Sequence, residues 1–235
     1  MFKALVLNQA DGHTTAAIET LDESRLPAGD VTVAVEYSTI NYKDGLALTN
    51  AIKIVQQYPM VPGIDFAGTV IESAHPRYRS GDKVILTGWG VGEKHWGGLA
   101  EKARVNGDWL VPLPAALSTR QAMIIGTAGF TAALALYRMR ENRQHPGLGP
   151  LAVTGATGGV GLLAVAIFSK AGYQVHAVSG KPEQADYLKS LGASEVLGRE
   201  ALDAKRPLES ARFGGGLDNV GGPMLVSLLA QTVPY

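Results

Sequence analysis

The run Thr154-Gly155-Ala156-Thr157-Gly158-Gly159-Val160-Gly161 sets Gly155, Gly158 and Gly161 at three-residue intervals. It lies between an apolar strand-like segment, residues 151–154, and a segment of helical periodicity, residues 162–171. The spacing is a variant of G-x-G-x-x-G, the loop in which bare backbone N–H groups and a helix N-terminus meet a pyrophosphate. Glycine suits that task because a Cβ would keep the phosphate away from the main chain. The pattern continues as a strand over 173–179 and a helix over 182–191, a βαβα run that predicts a doubly wound parallel sheet. A tight strand-to-helix turn that binds nothing is the bland reading of the same glycines, and the strand and helix on either side weigh against it.

The second strand of this unit ends at Val178-Ser179-Gly180-Lys181, where an NAD-preferring site places a carboxylate on the adenosine ribose. No Asp or Glu stands there. A hydroxyl at Ser179 and a cation at Lys181 suit a 2′-phosphate, so the cofactor expected is NADPH. Arg199, after a short strand at 195–197, is a further candidate for the same phosphate; for both cations the alternative is solvated surface charge. Asp218-Asn219-Val220-Gly221-Gly222 reads as the end of a fourth strand, either facing the cofactor or as a plain turn. From Leu151 to Tyr235 the chain is shorter than a six-stranded doubly wound sheet takes.

The first hundred residues read differently. Residues 31–37 alternate with period two, residues 82–86 do the same after Gly81, and residues 59–70, with two prolines and two glycines, read as a turn feeding a strand. This half is expected to be all-β. Ser118 is a plausible N-cap for a helical stretch running with interruption towards Arg140, which sets the domains at 1–120 and 121–235.

Composition excludes several functions. Lys+Arg and Asp+Glu both number 21, so no net positive field draws in nucleic acid or an anionic membrane. With no cysteine there is no disulfide, thiolate zinc site, iron–sulfur cluster or thiol nucleophile, and the five histidines show no ligand spacing, so no metal is expected. The apolar alternation at the N-terminus is too short for a signal peptide. The richest apolar stretch, residues 122–137, is broken by Gly126, Thr127, Gly129 and Thr131. No membrane span and a cytoplasmic location are expected.

Five further motifs occur in order: Asn41-Tyr42-Lys43-Asp44; Pro62-Gly63-Ile64-Asp65-Phe66-Ala67-Gly68; Gly81-Asp82-Lys83-Val84; Thr87 to Glu93 with His95-Trp96-Gly97-Gly98; and Gly126 to Ala132. Together they resemble the zinc-free quinone-oxidoreductase group of the medium-chain dehydrogenases/reductases. The Trp89–Gly98 block and Asp22-Glu23-Ser24-Arg25-Leu26-Pro27 resemble more narrowly its NADPH-dependent acryloyl-CoA reductase branch. The resemblance spans the whole chain. It implies a GroES-like β-rich catalytic domain followed by a Rossmann domain, with NADPH held by Tyr42, by Thr157, Gly158, Gly159 and Val160 at the pyrophosphate, and by Ser179, Gly180, Lys181 and Arg199 at the adenosine phosphate. It also implies a homodimer, and further Rossmann strands beyond the position of Tyr235, so the Rossmann domain is expected to be truncated at its C-terminus.

Without a Lewis acid, the reaction must suit a substrate that is already electrophilic, such as the conjugated C=C of an enoyl thioester like acryloyl-CoA. Charge developing on the carbonyl oxygen then needs donors, and Asn41 and Tyr42 are the candidates, with Asp44 to orient them. Asp44 reads equally as a structural cap or surface ion pair, and Asn41 as a turn residue. Trp89 and Trp96 are expected to pack in the core rather than stack on a ligand, and His95 to be packing or surface polarity. NADPH:quinone oxidoreduction is the nearest rival function. A non-catalytic NADPH-binding protein, or an inactive truncated fragment, is the rival of another class.

Overall fold

The computed structural model describes residues 1–204, 206 and 209–234, and the chain divides into two compact units, Met1–Thr127 and Ala128–Tyr235. The first opens with an antiparallel hairpin of β1 (Phe2–Ala10) and β2 (His13–Leu21), turned by Asp11 and Gly12, both at positive φ. Next come β3 (Val31–Ser38), a helix α1 (Tyr42–Thr49), β4 (Asp65–Ser73), β5 (Lys83–Thr87), β6 (Lys102–Val105) and β7 (Val111–Pro112). The last five strands form one antiparallel sheet in the order β6-β3-β4-β5-β7. Alternate residues Val31 and Val33, Val84 and Leu86, and Ala103 and Val105 turn inward with Phe66, Val70 and Leu110 to make its core, as period-two patterning demands.

The expectation that this half is all-β is corrected by α1, eight residues beginning at Tyr42. It is too short to show a 3.6-residue period and contains Gly45, so hydrophobic patterning does not reveal it. Its signal is the N-cap spacing: the carboxylate of Asp44, three residues on, accepts the backbone N–H of Asn41 at 2.7 Å.

The next element, α2 (Thr119–Glu141), starts where Ser118 caps it: the Ser118 hydroxyl accepts the Gln121 N–H at 3.1 Å, and the Gln121 side chain accepts the Ser118 N–H at 2.9 Å. By length and composition it could cross a bilayer. Gly126, at φ 50° and ψ −161°, breaks it into residues 119–125 and 127–141, each shorter than the roughly 20 residues a span requires. The break also moves the domain boundary from residue 120 to between Thr127 and Ala128. The first helical turns belong with the β unit because Ala122 and Met123 pack on Ala67, Ile85 and Leu113.

The second unit carries β8 (Leu151–Val153), α3 (Gly159–Lys170), β9 (Val175–Val178), α4 (Ala185–Ser190), β10 (Ala193–Leu197), β11 (Gly215–Leu217) and α5 (Gly222–Ala230). All four strands are parallel in the order β10-β9-β8-β11. Numbered within the unit this is 3-2-1-4, the first part of the dinucleotide-binding order, with its switch point between β8 and β11. The central strands are buried on both faces. Leu151, Val153 and Val175 pack with Val165, Phe168 and Leu188, while Ala152 and Val178 pack with Leu202, Phe213 and Leu228.

Candidate functional site

In the second unit the chain leaves β8 at Thr154, fully buried, whose hydroxyl donates to Asp218 at 2.6 Å and accepts the Asn219 N–H at 2.9 Å. The Asn219 amide in turn donates to the Thr154 carbonyl at 2.9 Å. These bonds tie the carboxyl ends of β8 and β11 together at the switch point. Gly155 then turns at φ +56°, and the Ala156 N–H returns to Val178 of β9 at 3.1 Å.

The glycines have separate tasks. A Cβ on Gly161 would lie within 2.7 Å of the Ala156 Cα and closer still to the Gly155 carbonyl oxygen, so Gly161 lets α3 close onto the loop. Gly158 and Gly159 are exposed. Gly158 is the N-cap of α3 and has no side chain with which to cap it; the first intrahelical bond runs from the Leu162 N–H to its carbonyl. The N–H groups of Gly159, Val160 and Gly161 thus open the helix without a side-chain acceptor, at the positive end of its dipole. The helix begins three residues before the sequence-based start at Leu162. Glycine's poor propensity hides this turn, and packing through Gly161 imposes it.

At the end of β9, Ser179 is buried; its hydroxyl accepts the Lys181 N–H at 3.1 Å and lies 3.3 Å from the Thr157 hydroxyl. A Cβ on Gly180 would stand 2.7 Å from Nε and 3.0 Å from Cζ of Arg199, so the guanidinium lies directly over Gly180. Thr157, Ser179, Gly180, Lys181 and Arg199 are therefore brought together. Lys181 and Arg199 are exposed, and among the described residues neither has a carboxylate within ion-pair distance. This fits a polyanionic cofactor: bare N–H groups beside one loop, and two unneutralised cations about Gly180.

In the first unit Tyr42 heads α1 with its side chain 84% exposed and, among the described residues, no partner for its hydroxyl. Asn41 is differently placed from a free donor: its amide group donates to the Thr39 hydroxyl at 2.8 Å and to Asp65 at 3.3 Å. Asp44 is buried. Besides the Asn41 N–H, its carboxylate accepts the N–H groups of Gly63 and Ile64 at 3.0 and 3.2 Å. Desolvation pushes its pKa above the ordinary aspartate value, against the pull of the Asn41 and Gly63 N–H bonds.

Asp65, in the motif at residues 62–68, is the hub of this region. Fully buried, it accepts the Thr39 hydroxyl at 2.5 Å, the Thr39 N–H at 3.2 Å, the Asn41 amide and the Thr127 N–H at 2.8 Å. Its partners are 24 to 62 residues away in sequence, which is why no local pattern discloses it. Trp96 packs against Phe2, Val6, Met60 and neighbouring residues, and His95 sets its ring edge on Trp109, as expected of packing residues. Trp89 departs from that expectation, being 58% exposed. No cluster of three metal-ligating side chains occurs among the described residues.

A profile of the alcohol dehydrogenase GroES-like domain matches residues 27–115. The chain is 57% identical, over 97% of its length and 71% of the relative's, to a protein of Escherichia coli K12 described as a probable acrylyl-CoA reductase, AcuI. It is 47% identical, over 98% of its length and 71% of the relative's, to the putative quinone oxidoreductase YhfP of Bacillus subtilis. Among solved structures, that of E. coli K-12 YHDH with bound NADPH matches at a TM-score of 0.95 and 57% identity, covering 97% of this chain and 71% of that one. B. subtilis yhfP with NAD bound matches at 0.95 and 47%, covering 98% and 71%.

Proposed function

Given that the chain belongs to the acrylyl-CoA reductase and quinone oxidoreductase family of medium-chain dehydrogenases/reductases, we propose that it is an NADPH-dependent reductase of the conjugated C=C of an enoyl thioester such as acryloyl-CoA. The observation that carries the cofactor half is the pair of cations, Lys181 and Arg199, which among the described residues have no carboxylate partner, about Gly180 at the carboxyl end of β9. Thr157, Gly158, Gly159 and Val160 would hold the pyrophosphate against the open end of α3. Lys181 and Arg199 would take the 2′-phosphate, with Ser179 fixing the turn between them. Bound there, NADPH supplies hydride for the carbon β to the carbonyl.

The remaining work falls to the chain's own groups. Tyr42 offers a free phenol to the cofactor or to the oxygen on which negative charge develops, and a donor aimed at developing charge is worth most. Asn41 acts through its neighbours: bonded to Thr39 and Asp65, it sets the turn from which Tyr42 projects, and Asp44 locks that turn to Gly63 and Ile64. Quinone reduction is the second reading, favoured by the name of the B. subtilis relative. A homodimer and a cytoplasmic location complete the proposal.

The test is a double variant, Lys181→Ala with Arg199→Ala, measured by cofactor titration. Each charge-assisted bond to phosphate is worth about 1.5–3 kcal/mol, so NADPH affinity should fall at least about tenfold while NADH affinity changes little. An unchanged NADPH:NADH preference overturns the 2′-phosphate assignment. Assays with acryloyl-CoA and small quinones in parallel separate the two substrate readings, and cofactor binding without turnover of either would show a non-catalytic protein.

A further inference from the structure

Trp89 and Gly90 form the corner of a tight turn, at φ +58° and +77°, closed by the Val91 N–H bonding to the Gly88 carbonyl at 3.2 Å. Two consecutive positive φ angles suit Gly, Asn or Asp, and a bulky aromatic there is an outlier. The ring is not placed there to fill the core, being 58% exposed. One face stacks on Trp109, with centroids 6.2 Å apart and planes 13° from parallel; Trp109 is braced by the edge of His95 at 5.1 Å, and His95 is fixed through Nε2 to the Arg104 carbonyl at 2.8 Å. Next to the platform, the Lys94 side chain lies across Gly90, where a Cβ would have to displace its flexible end. Neighbouring Lys43 pairs with Glu93, whereas exposed Lys94 has no ion pair among the described residues.

We propose that the outer face of Trp89, with Lys94 beside it, is a subsite for the adenine and phosphate end of a coenzyme A thioester. The inference rests on the enoyl-thioester reading above and extends it to the part of the substrate far from the reacting carbons. A rigid, supported indole is a stacking surface for a purine, and the exposed Lys94 ammonium answers the phosphates that a CoA nucleotide carries.

Two measurements test it. The first compares kcat/KM for acryloyl-CoA with that for acryloyl-pantetheine, which has the same reactive group and lacks the nucleotide. In Trp89→Ala the advantage of the CoA ester should shrink about tenfold, and in Lys94→Ala less steeply. An unchanged ratio in Trp89→Ala overturns the subsite. The second needs no turnover: adenosine 3′,5′-bisphosphate is titrated while the indole N–H resonances of the three tryptophans are followed. The Trp89 and Trp109 signals should move and that of Trp96, packed on the N-terminal hairpin, should not. A stationary Trp89 signal also overturns the proposal. A moving Trp89 signal in a protein that reduces no enoyl thioester would leave the nucleotide site standing and remove the substrate reading.

Discussion

Tyr42 and Asp44, two residues apart, illustrate how differently neighbouring side chains can serve one site. Asp44 is sealed in, its oxygens taken by three backbone N–H groups, so its contribution is to shape. Tyr42 stands in solvent, so on the proposed reading its contribution is to the bound cofactor or substrate. Tyr42→Phe should therefore leave the melting temperature unchanged, as an exposed substitution does. It should weaken NADPH binding or slow thioester reduction by roughly three- to tenfold, the worth of one hydrogen bond. Titration and steady-state rates equal to those of the wild type would remove Tyr42 from the site.

At the scale of elements, Glu36 holds the antiparallel sheet together from its face. Its carboxylate, on β3, meets Lys83 of β5 at 2.6 Å, the Thr69 hydroxyl of β4 at 2.6 Å and the Thr119 hydroxyl of α2 at 2.7 Å. The bond from Lys83, then those from Thr69 and Thr119, hold its pKa down at about 2 against an ordinary 4.5. Because the folded value is the lower one, this stabilisation is complete above pH 4.5 and is lost as the pH falls towards 2. Glu36→Gln should lower stability at pH 7 by about 1 kcal/mol, the pair being partly exposed, and should flatten that acid slope; urea midpoints between pH 6 and 2.5 give both. The strands that meet here, β3 and β5, were legible as residues 31–37 and 82–86 because half-buried strands alternate. The helix α1 was not, since eight residues cannot display a helical period, and the first turn of α3 was masked by its own glycines.

Over the whole molecule, two units each have a core of their own, and the sequence disclosed both by a change of period from two to that of a βαβ repeat. It also pointed to Ser179, Gly180, Lys181 and Arg199 as neighbours, because strand ends in this fold sit at fixed intervals after a glycine loop, whereas Thr157 was singled out only through the family resemblance. The Asp65 network stayed hidden because its partners come from two stretches of chain, residues 39–41 and Thr127, 24 to 62 residues away. If the cofactor assignment holds, NADPH at a hundred times its dissociation constant should raise stability by about 2.7 kcal/mol. Denaturant melts with and without NADPH measure this, and coincident curves would contradict cofactor binding to the folded chain.

Asp65 leaves the chain little freedom in one respect. The same buried carboxylate that fastens Thr39 and Asn41 ahead of α1 also receives the N–H of Thr127, just past the break in α2. Substitution on either segment is consequently not a local edit: a new side chain at 39 or 41 that draws this carboxylate away strips the helix break of its acceptor. Substitutions at the two places should be selected together, with residue 65 held constant.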